Sequence, residues 1–139
     1  MKRARYLLAG IALAVILSGC GQDRTKLASQ TVQAYWTDIQ HAKFNKAYDL
    51  LTPGNQAARS RSNYAQDMFG FLESTGGLTV RVGTPIVKDD LATVPVQLFS
   101  PKAPGKGYPA CQHLVWGSGK WLIADESGGL TQAKDCPKA

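Results

Sequence analysis

The feature that most constrains this chain is a change of hydrophobic period at Gly76-Gly77. Before it, apolar residues recur at the three-to-four spacing of helices; after it they alternate every second residue, as strands do. Ala28, Val32, Tyr35 with Trp36, Ile39 and Ala42 make one stripe and predict a helix over 27–42, with Gln30, Gln33, Asp38 and Gln40 on its solvated side. Phe44, Ala47, Tyr48 and Leu51 predict a second, short helix stopped by Thr52-Pro53-Gly54. A polar passage with Arg59 and Arg61 leads to Ser62, the expected cap of a third helix whose Tyr64, Met68, Phe71 and Leu72 share a face. Gly70 weakens that helix by about 1 kcal/mol relative to Ala.

Beyond Gly77, Leu78, Val80 and Val82 alternate with polar residues, and Ile86-Val87 continue the strand past Pro85. Lys88-Asp89-Asp90 reads as a turn, and Ala92, Val94, Val96 and Leu98 as the next strand, where Pro95 fits only an edge or a bulge. Ser100 to Pro109, with three prolines and two glycines, reads as a long irregular connection. Gln112–Trp116 and Trp121–Asp125 form the clearest hairpin, with a Ser118-Gly119 turn placing Trp116 opposite Trp121. On that register Leu114, Trp116, Trp121 and Ile123 share one face, and His113, Val115, Leu122 and Ala124 the other. Both faces are largely apolar, so the second requires a cover from this chain, a second copy or a partner. Helices followed by antiparallel strands predict an α+β domain, the helices packed on one face of a curved sheet.

Residues 1–19 are excluded from that fold. Lys2, Arg3 and Arg5 precede an apolar run from Tyr6 to Leu17 and a small-residue site, the layout of an export leader. The run falls short of the roughly 20 residues that cross a bilayer. Leu17-Ser18-Gly19-Cys20 resembles the lipobox of bacterial lipoproteins. That resemblance implies cleavage between Gly19 and Cys20, a diacylglycerol on the Cys20 thiol and further acylation, palmitate-like chains serving as a membrane anchor. Two or more chains make such anchoring stable. Residues 20–26 then form a short tether, 27–126 the domain, and 127–139 a polar tail. Gly21 is not the aspartate associated with inner-membrane retention in enteric bacteria, which hints at the outer membrane; the outer face of a single cell membrane is the alternative.

Of the 139 residues, removing the leader leaves 120, enough for one domain. Three of the 16 basic residues leave with it and all 10 acidic ones stay, so the mature charge is +3 rather than +6, with no basic run that would indicate nucleic acid. Cys111 and Cys136 remain as a pair in an exported protein, which predicts a disulfide. Metal binding is the rival reading, but His41 and His113 show no ligand spacing with them.

Tyr35-Trp36, Phe44 and Ala47-Tyr48-Asp49-Leu50-Leu51 before a proline, together with the Gly117-Ser118-Gly119-Lys120-Trp121 hairpin, resemble small bacterial lipoproteins of the nuclear transport factor two-like superfamily. The resemblance implies a cone, with one long and two shorter helices leaning into a bent sheet around an apolar cavity. Enzymes on this fold keep an acid, a base or a His-Asp pair in that cavity. The candidates are His113, Asp38, Asp125, Tyr35 and Tyr64, but no carboxylate is placed against His113, and Asp38 and Asp125 are expected to face water. Gly117-Ser118-Gly119-Lys120 is not a phosphate loop, because Trp121 and a strand follow instead of Ser or Thr and a helix. Lys102 and Lys106 lie in an acid-free loop that could meet anionic head groups.

The expected function is a lipid-anchored, non-enzymatic module of the cell envelope, with no cofactor. In one version Tyr35, Trp36, Phe71, His113 and Trp116 wall a site for a small apolar ligand. In the other these side chains fill the core, and the sheet face binds an envelope protein or a second copy. The alternative is a cavity isomerase or dehydratase using His113 or the aspartates.

Overall fold

The computed structural model describes residues 23–136. The expected leader, with the expected cleavage position at Gly19 and the expected lipidation position at Cys20, lies outside the described residues. Four helices, α1 (Arg24–Gln40), α2 (Phe44–Asp49), α3 (Pro53–Ala58) and α4 (Arg61–Thr75), precede six strands. These are β1 (Thr79–Val82), β2 (Ile86–Lys88), β3 (Leu91–Phe99), β4 (Gly107–Gly117), β5 (Lys120–Ile123) and β6 (Thr131–Gln132). The strands form one curled antiparallel sheet ordered β1-β3-β4-β5, with β2 also beside β3 and β6 also beside β4.

Helix α1 starts three residues earlier than its apolar stripe predicts, because the Asp23 carboxylate caps it by accepting from the Thr25 N–H. Ala28, Val32, Tyr35, Trp36 and Ile39 are its buried face. Proline at the first position of α3 suits a helix start, and the Thr52 hydroxyl accepts from the Asn55 N–H, so the predicted stop at Thr52-Pro53-Gly54 also begins a helix in the expected polar passage. The cap of α4 is Ser60, not Ser62: Ser60 has the extended backbone of a capping residue and accepts from the Asn63 N–H. Gly70 lies on an exposed face where a Cβ would meet nothing, and α4 runs through it to the left-handed Gly76.

The sheet keeps its parity. Val80, Ala92, Val94, Val96, Leu114, Trp121 and Ile123 point inward and join the core with α1, Tyr48 and Tyr64. Trp116 pairs with Trp121 across Ser118-Gly119, both turn residues having positive φ. β1 and β2 lie along the same edge of β3, with an extra residue between them opposite Pro95. The Pro95 carbonyl accepts from the Gly83 N–H, so its missing donor faces this bulge, and the pairing of β3 with β4 runs uninterrupted past it. The expected 100–109 loop is shorter, because β4 begins at Gly107 and carries Pro109 within it.

The outer face is partly covered by the chain's own end. Residues 131–132 pair with Ala110 and Cys111, and a disulfide joins Cys111 to Cys136, laying the segment around Ala133 beside Pro95 and Pro109. Ile86 and Leu91 remain exposed at one end of this face.

Candidate functional site

One of the two readings from sequence groups Tyr35, Trp36, Phe71, His113 and Trp116 in one cavity wall, and the other has them fill the core. The fold separates them into four places. Only Trp36 and Phe71 line the apolar pocket, a cavity of about 220 Å³ between α1, α4, the end of β3 and residues 128–130. Met68, Leu98 and Leu130 complete its wall. Leu98 and Leu130 also border a second depression of about 480 Å³, whose walls include Tyr108, Gln132 and Lys134. The two form one cleft, apolar at its inner end and mostly apolar at its wider outer end, where Gln132 and Lys134 add polar groups and Tyr108 stands half exposed on the rim.

Below this pocket the cone is filled. The fully buried Tyr35 hydroxyl donates to the Gly128 carbonyl at 2.8 Å and accepts from the Tyr64 hydroxyl at 2.9 Å. Burial raises both phenols: Tyr35 lies well above its ordinary range, pushed further by Tyr64 and by the charge of Asp125, and Tyr64 is pushed up to about 12. The Tyr35 hydrogen bond lowers Tyr64 somewhat, and the half-buried Asp38 raises it, so Asp38 acts on the core electrostatically. Gln112 is buried on the inner face with all its partners made. Its Oε1 accepts from Trp36 Nε1 at 3.1 Å, and its Nε2 donates to Asp125 Oδ2 and to the Gly129 carbonyl, both at 2.7 Å.

Asp125 does not face water. Its side chain is 9 % exposed and lies against His113. Oδ2 accepts from the His113 N–H at 2.6 Å, and Oδ1 lies 2.8 Å from His113 Nδ1 and accepts from the Thr131 hydroxyl at 3.1 Å. A carboxylate therefore does face His113, contrary to the expectation from sequence. The pair sits on the edge and outer face of β4, however, and His113 lines neither the apolar pocket nor the depression beside it. Its geometry is that of a latch, in which one carboxylate gathers donors from β4 and from the returning segment and closes the gap where β5 ends and β6 begins.

Trp116 lies at the opposite end of the domain from the pocket. It packs edge-on against Trp121 at 5.2 Å, with the Arg24 guanidinium 4.4 Å from its ring centroid. Lys102 is also reassigned: its ammonium donates to the Glu73 and Ser74 carbonyls and caps α4. Gln112 was legible as a polar residue at an inward position of a strand; Leu98 and Gly128–Leu130 carried no local mark, since only the sheet's curl brings them to α4. Among the described residues no cluster of three metal-ligating side chains occurs and no helix is long and apolar enough to cross a membrane.

No protein-family profile and no curated protein matches the chain. Solved structures do. A protein of the NTF2-like family from Streptomyces avermitilis, to which a dehydratase activity has been ascribed, is 14% identical and superposes with a TM-score of 0.53 over 72% of this chain and 91% of its own. Bd1075 of Bdellovibrio bacteriovorus is 10% identical, with a TM-score of 0.53 over 78% of this chain but only 40% of its own length. At such identities the likeness is one of fold, and the fold is the NTF2-like cone of helices on a strongly curled antiparallel sheet.

Proposed function

We propose that this protein is a lipid-anchored component of the bacterial cell envelope, held by acylated Cys20, whose NTF2-like domain binds a partner protein without catalysis. The observation that carries the binding reading is the form of the cleft: a small apolar pocket behind Trp36 and Phe71 that opens past Leu98 and Leu130 onto a wider, mostly apolar shelf carrying Gln132 and Lys134 beside the exposed Tyr108. The inner pocket, at 220 Å³, is by itself below the about 300–1,000 Å³ of sites that enclose a drug-sized molecule, and the 480 Å³ depression beside it is an open shelf rather than an enclosure. It suits one aromatic or branched aliphatic side chain, and interfaces commonly seat such an anchor in an apolar pocket with a polar rim. The interior hydroxyls and the Gln112 amide are engaged with one another and with the backbone, which speaks for structural roles.

The test uses the acylated protein in its native envelope. A photo-crosslinking residue at Tyr108 is expected to trap one envelope protein, and Met68→Lys, which fills the pocket with a charge, is expected to abolish the adduct. Native mass spectrometry showing a retained small apolar molecule and no protein adduct would replace this reading with the ligand-binding one. Turnover of an added substrate, lost with His113→Ala, would favour the cavity-enzyme alternative.

A further inference from the structure

We infer that the end of the domain built from the start of α1, the β2–β3 turn and the β4–β5 turn lies against the lipid bilayer, so that the binding cleft opens away from it. The inference rests on the reading of Cys20 as the anchor and adds the orientation of the domain on the membrane.

The first support is chain length. Two residues, Gly21 and Gln22, separate Cys20 from Asp23, and the three steps along the chain span at most about 11 Å. Arg24, the next residue, is fixed to the domain from several sides. Its guanidinium bonds Asp90 at 2.8 Å and lies over the Trp116 and Trp121 rings, while its carbonyl accepts from Trp121 Nε1 at 2.8 Å. A lipid on Cys20 therefore holds this particular end of the cone within about one tether length of the membrane surface.

The second support is what that end exposes. Leu91, beside the β2–β3 turn, is 62 % exposed, and its cross-strand neighbours are the half-buried Val115 and the exposed Lys88. Ile86 is exposed on the same outer face. Lys120 follows the β4–β5 turn. Arg24, Lys26, Lys88 and Lys120 stand against Asp23, Asp89 and Asp90, so the charges nearly cancel and the acyl anchor with apolar contact, rather than attraction to anionic lipid, would hold the surface down.

The cleft sits at the other end by two independent rulers. Along β3, Leu98 lies seven residues beyond Leu91, about 23 Å at strand rise. Along α1, Trp36 lies twelve residues beyond Arg24, about 18 Å at helical rise. The cleft thus takes its partner from the aqueous side, or from a structure facing the membrane that bears the anchor.

The test places a spin label at Leu91→Cys or at Tyr108→Cys in the full acylated protein, with the Cys111–Cys136 disulfide intact, in phosphatidylcholine vesicles. Power-saturation resonance then compares accessibility to a water-soluble nickel chelate with that of the same label on unacylated Cys20→Ser protein. Acylation and vesicle binding are expected to lower nickel access severalfold at position 91 and to leave it unchanged at position 108. Equal access at both positions in acylated protein, or a loss at 108 instead of 91, would overturn the orientation alone. Absence of an acyl mass on Cys20 would overturn the anchoring reading and the orientation with it.

Discussion

Replacing Gly128 with alanine tests how tightly the interior of the cone is closed. Gly128 has φ +71, where an L side chain is strained by about 1–2 kcal/mol. A Cβ there would overlap the Tyr35 hydroxyl and stand 3.0 Å from Leu51 Cδ2. Tyr35 has no free space to retreat into, since it is fully buried between Trp36 and Tyr64. Relief would require displacing its hydroxyl from the Gly128 carbonyl, which adds about 1–3 kcal/mol for overpacking and a comparable amount for the buried groups left unpaired. Gly128→Ala is therefore expected to cost about 3–5 kcal/mol, a large share of the roughly 5–15 kcal/mol of a typical domain. With a urea slope of about 1.5–2 kcal/mol/M, the midpoint should fall by about 2 M. Tyr35→Phe in the same chain separates sterics from backbone strain, because it removes the overlapping oxygen; the double variant should be less destabilised than the sum of the singles by more than about 1 kcal/mol. A Gly128→Ala midpoint within error of the parent, or strict additivity with Tyr35→Phe, would refute this account of the core.

Asp125→Ala removes the acceptor shared by Gln112, His113 and Thr131, and is expected to cost about 2–4 kcal/mol and to speed amide exchange across residues 124–132, read by hydrogen-exchange mass spectrometry. Reduction of Cys111–Cys136, or Cys136→Ser, should lower stability by about 3 kcal/mol for a loop of 25 residues, measured by urea denaturation with and without reductant. Tyr64 ionises at about 12 in the folded protein against an ordinary 10.0, so the neutral phenol is the favoured form. Its contribution is complete below pH 10 and declines as the pH rises toward 12; urea midpoints should fall between those values, and less steeply in Tyr64→Phe. Arg24→Ala should leave the fold intact and loosen the first turn of α1, seen as faster exchange of the amides at 25–28 and a shift in the emission of Trp116 and Trp121.

Much of the architecture could be read locally. The stripe of α1, the parity of β3–β5 and the Trp116–Trp121 register follow from side-chain period and turn chemistry, and those rules act over a few residues. The misplacements are also local. Ser60 and Ser62 are two residues apart in a polar run, and only the extended backbone at Ser60 selects it as the cap. Pro53 can stop one helix or start another, and it does both between α2 and α3.

The candidate site was less legible because its parts come from distant positions. Trp36, Phe71, Leu98 and Leu130 span most of the chain, and only the curl of the sheet brings them to one cleft. His113 and Asp125 form a bonded pair because β5 ends at Ile123 and the chain turns back along β4; the sequence shows both residues but not that return. By itself the sequence determined that helices precede antiparallel strands, the cysteine pairing and the inward parity of the sheet, since each depends on spacing along one chain; it missed α3 and β6 and ran β1 and β2 together. Tertiary structure alone decided that Trp116 and Trp36 stand at opposite ends, that the Asp125 carboxylate turns onto His113 and Gln112 rather than into water, and that the inner pocket is small, because each depends on how a curved sheet meets the helices that close it.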